Sequence, residues 1–271
     1  MITINPEKCV GCSLCVKDCF VRGISLVDGK AVASNKACFK CGHCIAICPQ
    51  NAVAITEYNM DEVKEYDAEN FSIQPDQLLN FIKYRRTVRQ FKKQDVEEEK
   101  LLKIIEAGRF TQTGSNAQNV SYVVVKENLE ALKTMTFETL AGMGQRLLAD
   151  ENTLPLIKRY ANMWINMAEN YKQDPSNDSL FFNAPAIILT VSSSPVNASL
   201  ASSNMELMTN ALGLGTFFSG FFTRAAEVNK EIPRFLGISE TDQVVTCMVI
   251  GYPKVKYART APRKNATITW K

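Results

Sequence analysis

Hydrophobic residues gather into runs along the chain, and the spacing within each run predicts its secondary structure. Residues 121–125, 186–191 and 244–250 are short, apolar and rich in β-branched side chains, which predicts three strands. Residues 154–171 and 200–212 repeat their apolar positions at helical spacing. In the second of these, Leu200, Met205, Leu207, Met208, Ala211 and Leu212 spread around most of the circumference. Such a helix is expected to be buried, in a core or at a subunit interface. Pro75 opens another helix through Leu78, Leu79, Phe81 and Ile82, since proline suits a first helical turn. Asp95, with Glu98 three residues on, resembles a capping box. Leu101, Leu102, Ile104 and Ile105 follow as an apolar face, and Gly108 is the expected stop. Helices outnumber strands and the strands are dispersed among them, so the fold class is α+β, with a central sheet flanked by helices.

Size divides the chain before chemistry does. At 271 residues it has room for one or two domains. Between Glu57 and Glu69 the composition turns acidic and polar, with Asp61, Glu62, Glu65 and Asp67. This places a linker at residues 59–75, between a small domain at 1–58 and a larger one at 76–271. A hydrophobic content of 46%, a charged content of 22% and a net charge of +3 describe a globular chain with no basic arm for nucleic acid. No uninterrupted apolar stretch is long enough to span a membrane, and no secretory signal opens the chain, so a cytoplasmic location is expected.

Eight of the nine cysteines change that picture. Cys9, Cys12, Cys15 and Cys19 are spaced C-x2-C-x2-C-x3-C, and Cys38, Cys41, Cys44 and Cys48 repeat the spacing, with Pro49 after the last. The repeat continues past the cysteines at an offset of 29 residues, pairing Ile24 with Val53 and Leu26 with Ile55. Each half therefore reads as strand, cysteine loop, helical turn and strand, related by a pseudo-twofold. Three thiolates on one tight loop suit three irons of a compact cube, whose fourth corner must be reached from elsewhere. Disulfides do not suit a chain without a secretory signal, and a zinc site built from two C-x2-C pairs would leave four equally spaced cysteines unexplained. The runs resemble those of two-cluster bacterial ferredoxins, in which the fourth cysteine of each run ligates the other run's cluster. That resemblance implies two [4Fe–4S] clusters, one held by Cys9, Cys12, Cys15 and Cys48, the other by Cys38, Cys41, Cys44 and Cys19. Phe20 departs from the pattern by standing where proline would follow Cys19. Cys247, inside an apolar run, is expected to be a core thiol. His43, the one histidine, is expected to be a loop residue beside the second cluster.

The larger domain offers no phosphate-binding G-x-x-x-x-G-K loop, and Gly213, Gly215 and Gly220 do not form a dinucleotide fingerprint. Residues 85–91 instead supply Arg85, Arg86, Thr87 and Arg89, a cluster whose planar guanidiniums suit a phosphate. A polar loop with Gly114, Ser115, Asn116 and Gln118 follows, then the glycine-bearing run 213–220, then Gly251-Tyr252-Pro253 and a basic tail. These four segments, in this order, resemble the FMN-dependent nitroreductase family over residues 76–271. Thr87 replaces the usual serine, and Asn119 stands where proline is usual, which is expected to alter the loop's rigidity. With the cysteine domain, the whole chain resembles a ferredoxin–nitroreductase fusion.

The resemblance implies that Arg85, Thr87, Arg89 and Arg263 hold the FMN phosphate and ribityl chain, with Arg86 nearby and Arg259 a weaker candidate. Asn116 and Gln118 would bond the ring or ribityl hydroxyls, with Ser115 close by. Backbone N–H groups near Ser219 and Gly220 would face the flavin. It also implies a homodimer with FMN at the interface. Tyr160, Met163 and Trp164 share one helix and read as ordinary packing. The implied activity is that of an oxidoreductase. Electrons would pass from a ferredoxin or other low-potential donor, through the clusters, to FMN and then to a flat electron-poor acceptor such as a nitroaromatic, quinone or flavin. The catalysis would rest on the flavin and not on a side-chain nucleophile. The alternative is an electron-relay module of a larger redox complex, with no small-molecule substrate of its own.

Overall fold

The computed structural model describes residues 1–271, which divide into two compact units. The first unit comprises Met1–Ile73 together with Thr113–Ala117. It runs β1 (Ile2–Ile4), α1 (Leu14–Asp18), β2 (Ile24–Val27), β3 (Lys30–Ala33), α2 (His43–Ala46) and β4 (Val53–Ile55). Strand β1 pairs antiparallel with β4, and β2 with β3, so each half lends one strand to each ribbon. The internal repeat reaches the backbone. Gly11, Ser13 and Arg22 have positive φ, and so do Lys40, Gly42 and Asn51, 29 residues later in each case. Ile2, Ile24, Val53 and Ile55 form the small core, but Leu26, the repeat partner of Ile55, is 42% exposed. The stretch expected as a linker carries a 3-10 turn at Met60–Glu62 and a one-turn helix, α3 (Ala68–Phe71), begun by the Asp67 side chain.

The second unit comprises Gln74–Gln112 and Gln118–Lys271. Its elements are α4 (Pro75–Tyr84), α5 (Glu98–Arg109), β5 (Ser121–Val125), α6 (Leu129–Ala149), α7 (Pro155–Gln173), β6 (Ala186–Ser192), α8 (Pro195–Ala211), β7 (Gly215–Phe218), α9 (Gly220–Val228), α10 (Glu231–Phe235) and β8 (Gln243–Gly251). The strands form one antiparallel sheet in the order β5-β6-β8-β7. Period-two alternation sends its side chains to two cores. Ile187, Leu189, Cys247 and Val249 meet α6, α7 and α9, while Ala186, Ile188, Met248 and Ile250 meet α5 and α8. Both faces are covered, and β6 is buried at every position. Each fully buried aliphatic side chain contributes roughly 1.5–3 kcal/mol. The fold is α+β with a helix-flanked sheet, as the sequence predicts, and Cys247 is a core thiol whose pKa is raised by burial.

Several local expectations are corrected. Helix α5 starts at Glu98, and Asp95 does not cap it, because the Asp95 carboxylate pairs with Lys126 at 2.7 Å. Gly108 does not end α5. It sits buried inside the helix, where a Cβ would meet Met205 Sδ at 2.9 Å and the Tyr122 hydroxyl at 2.8 Å. Leu102 is 56% exposed and lies off the apolar face. Helix α8 buries one face only, largely through small residues such as Ala198, Ala201 and Ser202, with Leu200 exposed. Helix α6, strand β7 and helix α9 were not expected from the hydrophobic pattern.

Candidate functional site

In the first unit the pseudo-twofold places three of the four cysteine pairs alike, while Cys9 is buried and its counterpart Cys38 half-buried. Cys15 and Cys44 are buried in their helical turns, Cys12 and Cys41 are exposed, and Cys19 and Cys48 are half-buried. A cavity is lined by Cys9, Cys12 and Cys15 from the first run and by Cys48 from the second. This is the set that the ferredoxin resemblance implies. Backbone N–H groups donate to sulfur in matched positions: Gly23 to Cys19 and Ala52 to Cys48, both at 3.3 Å, and Lys40 to Cys38 at 3.2 Å. Ala31 donates to Cys9 at 3.4 Å, and this bond, with one from Gly11 and the charge of Lys30, lowers the Cys9 pKa. Burial raises Cys15 and pushes Cys44 up to about 11.

His43, expected in a loop, is instead the first residue of α2, and its Nδ1 pairs with Asp18 at 3.1 Å on the unit's surface.

In the second unit the basic segment is held as an added strand. Val88 N–H donates to the Thr216 carbonyl at 3.0 Å, Lys92 N–H to Tyr252 O at 2.8 Å and Lys254 N–H to Gln90 O at 2.8 Å. The segment is thus clamped between β7 and the Gly251-Tyr252-Pro253 turn, and Phe91 bridges Pro253. Gly215 permits this closeness, since a Cβ there would lie 2.8 Å from Val88 Cβ. Gly215→Ala is expected to cost about 1–3 kcal/mol, as overpacking against a stiff β-branched side chain does. A denaturant midpoint shift measures it, and an unchanged midpoint counts against the clamp. Gly213 closes α8 in the left-handed conformation, φ 73°, with Leu214 N–H returning to Thr209 O. It is a helix cap.

The clamp splits the arginines. Arg85 pairs with Glu206 of α8, and with Arg86 it lines a cavity shared with Asn210, Gly213 and Tyr257. The Arg86 guanidinium lies 5.9 Å from the Tyr257 ring centroid, and the Tyr257 hydroxyl donates to the Thr87 carbonyl at 3.3 Å. Arg89 turns to a different cavity, where it lies 5.3 Å from the Phe217 ring centroid. Ser219 and Gly220 line that second cavity with it. Nothing lies within 4 Å of where a Gly220 Cβ would stand, so a flat group has room to approach its backbone at the start of α9. The Ser219 N–H, expected to face the flavin, is already donated to Cys247 O at 2.8 Å, which leaves Gly220 the better placed of the two.

Ser115 and Asn116 belong to the first unit, both with φ above +50°, while Gln118 belongs to the second. The Asn116 amide donates to the carbonyls of Phe39 and Lys40 in the second cysteine loop, at 2.9 and 3.1 Å. Asn119 regains the rigidity a proline would supply. Its Oδ1 accepts from Asn197 at 2.8 Å, and its carbonyl accepts from Ser192 at 2.8 Å. Arg263 is exposed on the tail, its guanidinium on the Pro262 carbonyl at 3.2 Å. Arg259 is exposed too.

Tyr160 and Trp164, read from sequence as packing, line the cavity that holds Arg89, as does Arg224. Only recognition of α9 would have found Arg224, because it stands one turn after Gly220 on the same helix face.

Known proteins resemble both parts of the chain. The family model described as 4Fe-4S dicluster domain matches residues 8–53. A curated relative, one of the subunits of the ion-translocating oxidoreductase complex of Methanosarcina acetivorans, is 38% identical over 47 residues, which cover 17% of this chain and 18% of that protein. The chain thus spans under a fifth of that relative's length. Among solved structures, the FMN-dependent nitroreductase of Clostridium difficile R20291 superposes with a TM-score of 0.54 at 19% identity, covering 72% of this chain and 99% of its own. The nitroreductase with bound FMN from Bacteroides fragilis NCTC 9343 gives 0.53 at 18% identity, covering 71% and 98%. At such identities these two show the fold. The nitroreductase family model itself matches residues 82–252, more than half of the chain. The chain therefore belongs to the nitroreductase family, with a 4Fe–4S ferredoxin domain preceding the family's fold.

Proposed function

We propose that this protein is an iron–sulfur flavoprotein oxidoreductase holding two [4Fe–4S] clusters and FMN. It takes electrons from ferredoxin or another low-potential donor and passes them to a flat electron-poor acceptor, such as a nitroaromatic, a quinone or a flavin. The observation that carries this reading is the union, in one chain, of eight cysteines at cluster spacing with a nitroreductase domain whose Arg89, Ser219 and Gly220 line one cavity. Bound clusters and flavin supply the redox chemistry, single electrons arriving through the clusters and leaving the flavin as a pair.

The protein's own residues bind and orient. Cys9, Cys12, Cys15 and Cys48 hold one cluster, and Cys38, Cys41, Cys44 and Cys19 the other. Arg85, Thr87, Arg89 and Arg263 hold the flavin's phosphate and ribityl chain, with Arg86 nearby. Ser115, Asn116 and Gln118 supply polar contacts, and Gly220, beside Ser219, lets the ring approach the backbone. A homodimer completes the flavin site. In support, a single chain distributes its arginines over two cavities, and α4 leaves Leu78, Leu79 and Ile82 exposed, as a face awaiting a second copy would.

Arg89→Ala is expected to weaken FMN binding about ten- to a hundredfold, as for lost charge-assisted hydrogen bonds, without changing iron content. Flavin and iron assays on the same sample check both halves, and loss of iron would contradict the separation of the two sites. Anaerobic titration tests the donor: reduction by NADPH as fast as by reduced ferredoxin would remove the purpose assigned to the clusters. The relay reading draws support from the relative that belongs to an oxidoreductase complex. Flavin-loaded protein that turns over no member of a nitro and quinone panel would establish the relay instead.

A further inference from the structure

The cavity of Arg89, Ser219 and Gly220 has a second wall that the flavin reading leaves unassigned. Helix α7 contributes Tyr160 and Trp164 to it, and α9 contributes Phe221 and Arg224. The Arg224 guanidinium lies over the Trp164 ring, 5.5 Å from its centroid, and Phe221 meets the same ring edge-on at 6.0 Å. Arg85, Arg109 and Arg234 each pair with a carboxylate of the chain, whereas Arg224 pairs with none. Trp164 is 2% exposed, and its indole N–H is buried without a hydrogen-bond partner.

We propose that this wall is the electron acceptor's subsite and that it selects flat aromatic acceptors carrying an acidic group, with Arg224 as the specificity-determining residue. Tyr160 and Phe221, backed by the buried Trp164, supply the aromatic surface against which such a ring packs. Arg224, already aligned by stacking on Trp164, presents its fork to a carboxylate, and a planar guanidinium held in this way loses little freedom on pairing. The charge is permanent, so the preference follows the ionisation of the ligand alone and weakens as salt is added.

This inference rests on the flavin reading and deepens it. The test is equilibrium binding to oxidised holoprotein by titration calorimetry, with no reductant present, using 4-nitrobenzoate and nitrobenzene as probes. Flavin content is measured on the same samples. The wild type is expected to bind 4-nitrobenzoate tenfold or more tightly than nitrobenzene. Arg224→Gln should bring that ratio near one, and Arg224→Lys should keep part of it, since the charge remains but the fork is lost. Flavin-loaded wild type that binds both probes equally overturns the inference while leaving the flavin reading intact. So does a ratio that survives in Arg224→Gln. Wild-type protein that takes up no flavin overturns both.

Discussion

Cys48→Ala is expected to remove about half of the iron and inorganic sulfide, and the cluster lost is the one whose other three ligands belong to the first cysteine run. Cys48 follows Cys44 in sequence, but the cavity it lines is that of Cys9, Cys12 and Cys15. Removing one of four thiolates leaves an open corner on the cube, and cluster binding is coupled to the order of the loops that carry it. Double variants decide the wiring. Cys48→Ala with Cys12→Ala should lose no more iron than either alone, because both strike one cluster. Cys48→Ala with Cys41→Ala should lose nearly all of it. The reverse pattern, measured by iron and sulfide assay on anaerobic protein, would show that each run holds its own cluster. Flavin binding should persist in every case, since the nitroreductase domain has separate cores of its own.

Asp178→Ala is expected to be the most destabilising point change in the second unit, at about 3–5 kcal/mol. The Asp178 side chain is fully buried and lies 3.0 Å from Lys133 Nζ, itself only 5% exposed. The same carboxylate accepts the backbone N–H groups of Leu180 at 3.0 Å, Phe181 at 2.8 Å and Asn183 at 3.0 Å. These bonds hold a turn in which Phe182 and Asn183 both have positive φ, and Leu180 and Phe182 form part of the cavity wall. Truncation leaves three donors unpaired and a buried cation held only by the largely exposed Glu130 at 2.8 Å. Burial opposes the Lys133 charge, but hydrogen bonds and charges from Glu130 and Asp178 outweigh it and raise the lysine's pKa. A group whose pKa is raised by folding stabilises fully at neutral pH and loses that contribution only as pH rises through the raised value. The pair should therefore hold from neutral pH into moderate alkali.

Adding Lys133→Met to Asp178→Ala should recover part of the loss, by removing a buried charge left with Glu130 alone, and not all of it, because the three N–H groups stay unpaired. Denaturant midpoints of the single and double variants measure this. Full recovery would mean that the backbone bonds contribute nothing.

Much of the architecture was legible because local chemistry and tertiary structure agree. The cysteine spacing and the offset of the repeat gave strand, loop, helical turn and strand in each half, and β5, β6, β8, α4, α7 and α8 follow hydrophobic periodicity. Helix α6 escaped notice because its apolar residues mix with Lys133 and Thr136, both buried, so no clean stripe shows. Strand β7 was hidden by its glycine-rich surroundings and owes its place to pairing with β8 and with Val88. Leu26 and Ile55 are equivalent in the repeat, yet one is exposed and the other buried, because the repeat governs backbone path while neighbours govern burial.

By itself the amino-acid sequence determined the class of each site: thiols at cluster spacing, and guanidiniums in place of a phosphate loop. Those are properties of residue type and near-neighbour spacing, which a linear pattern carries intact. Tertiary structure alone decided that Arg85 and Arg86 serve one cavity and Arg89 another. It also brought Arg224 and Trp164 to the pocket of Arg89. Contacts between residues far apart in sequence depend on where strands pair and helices pack, and no local spacing encodes that.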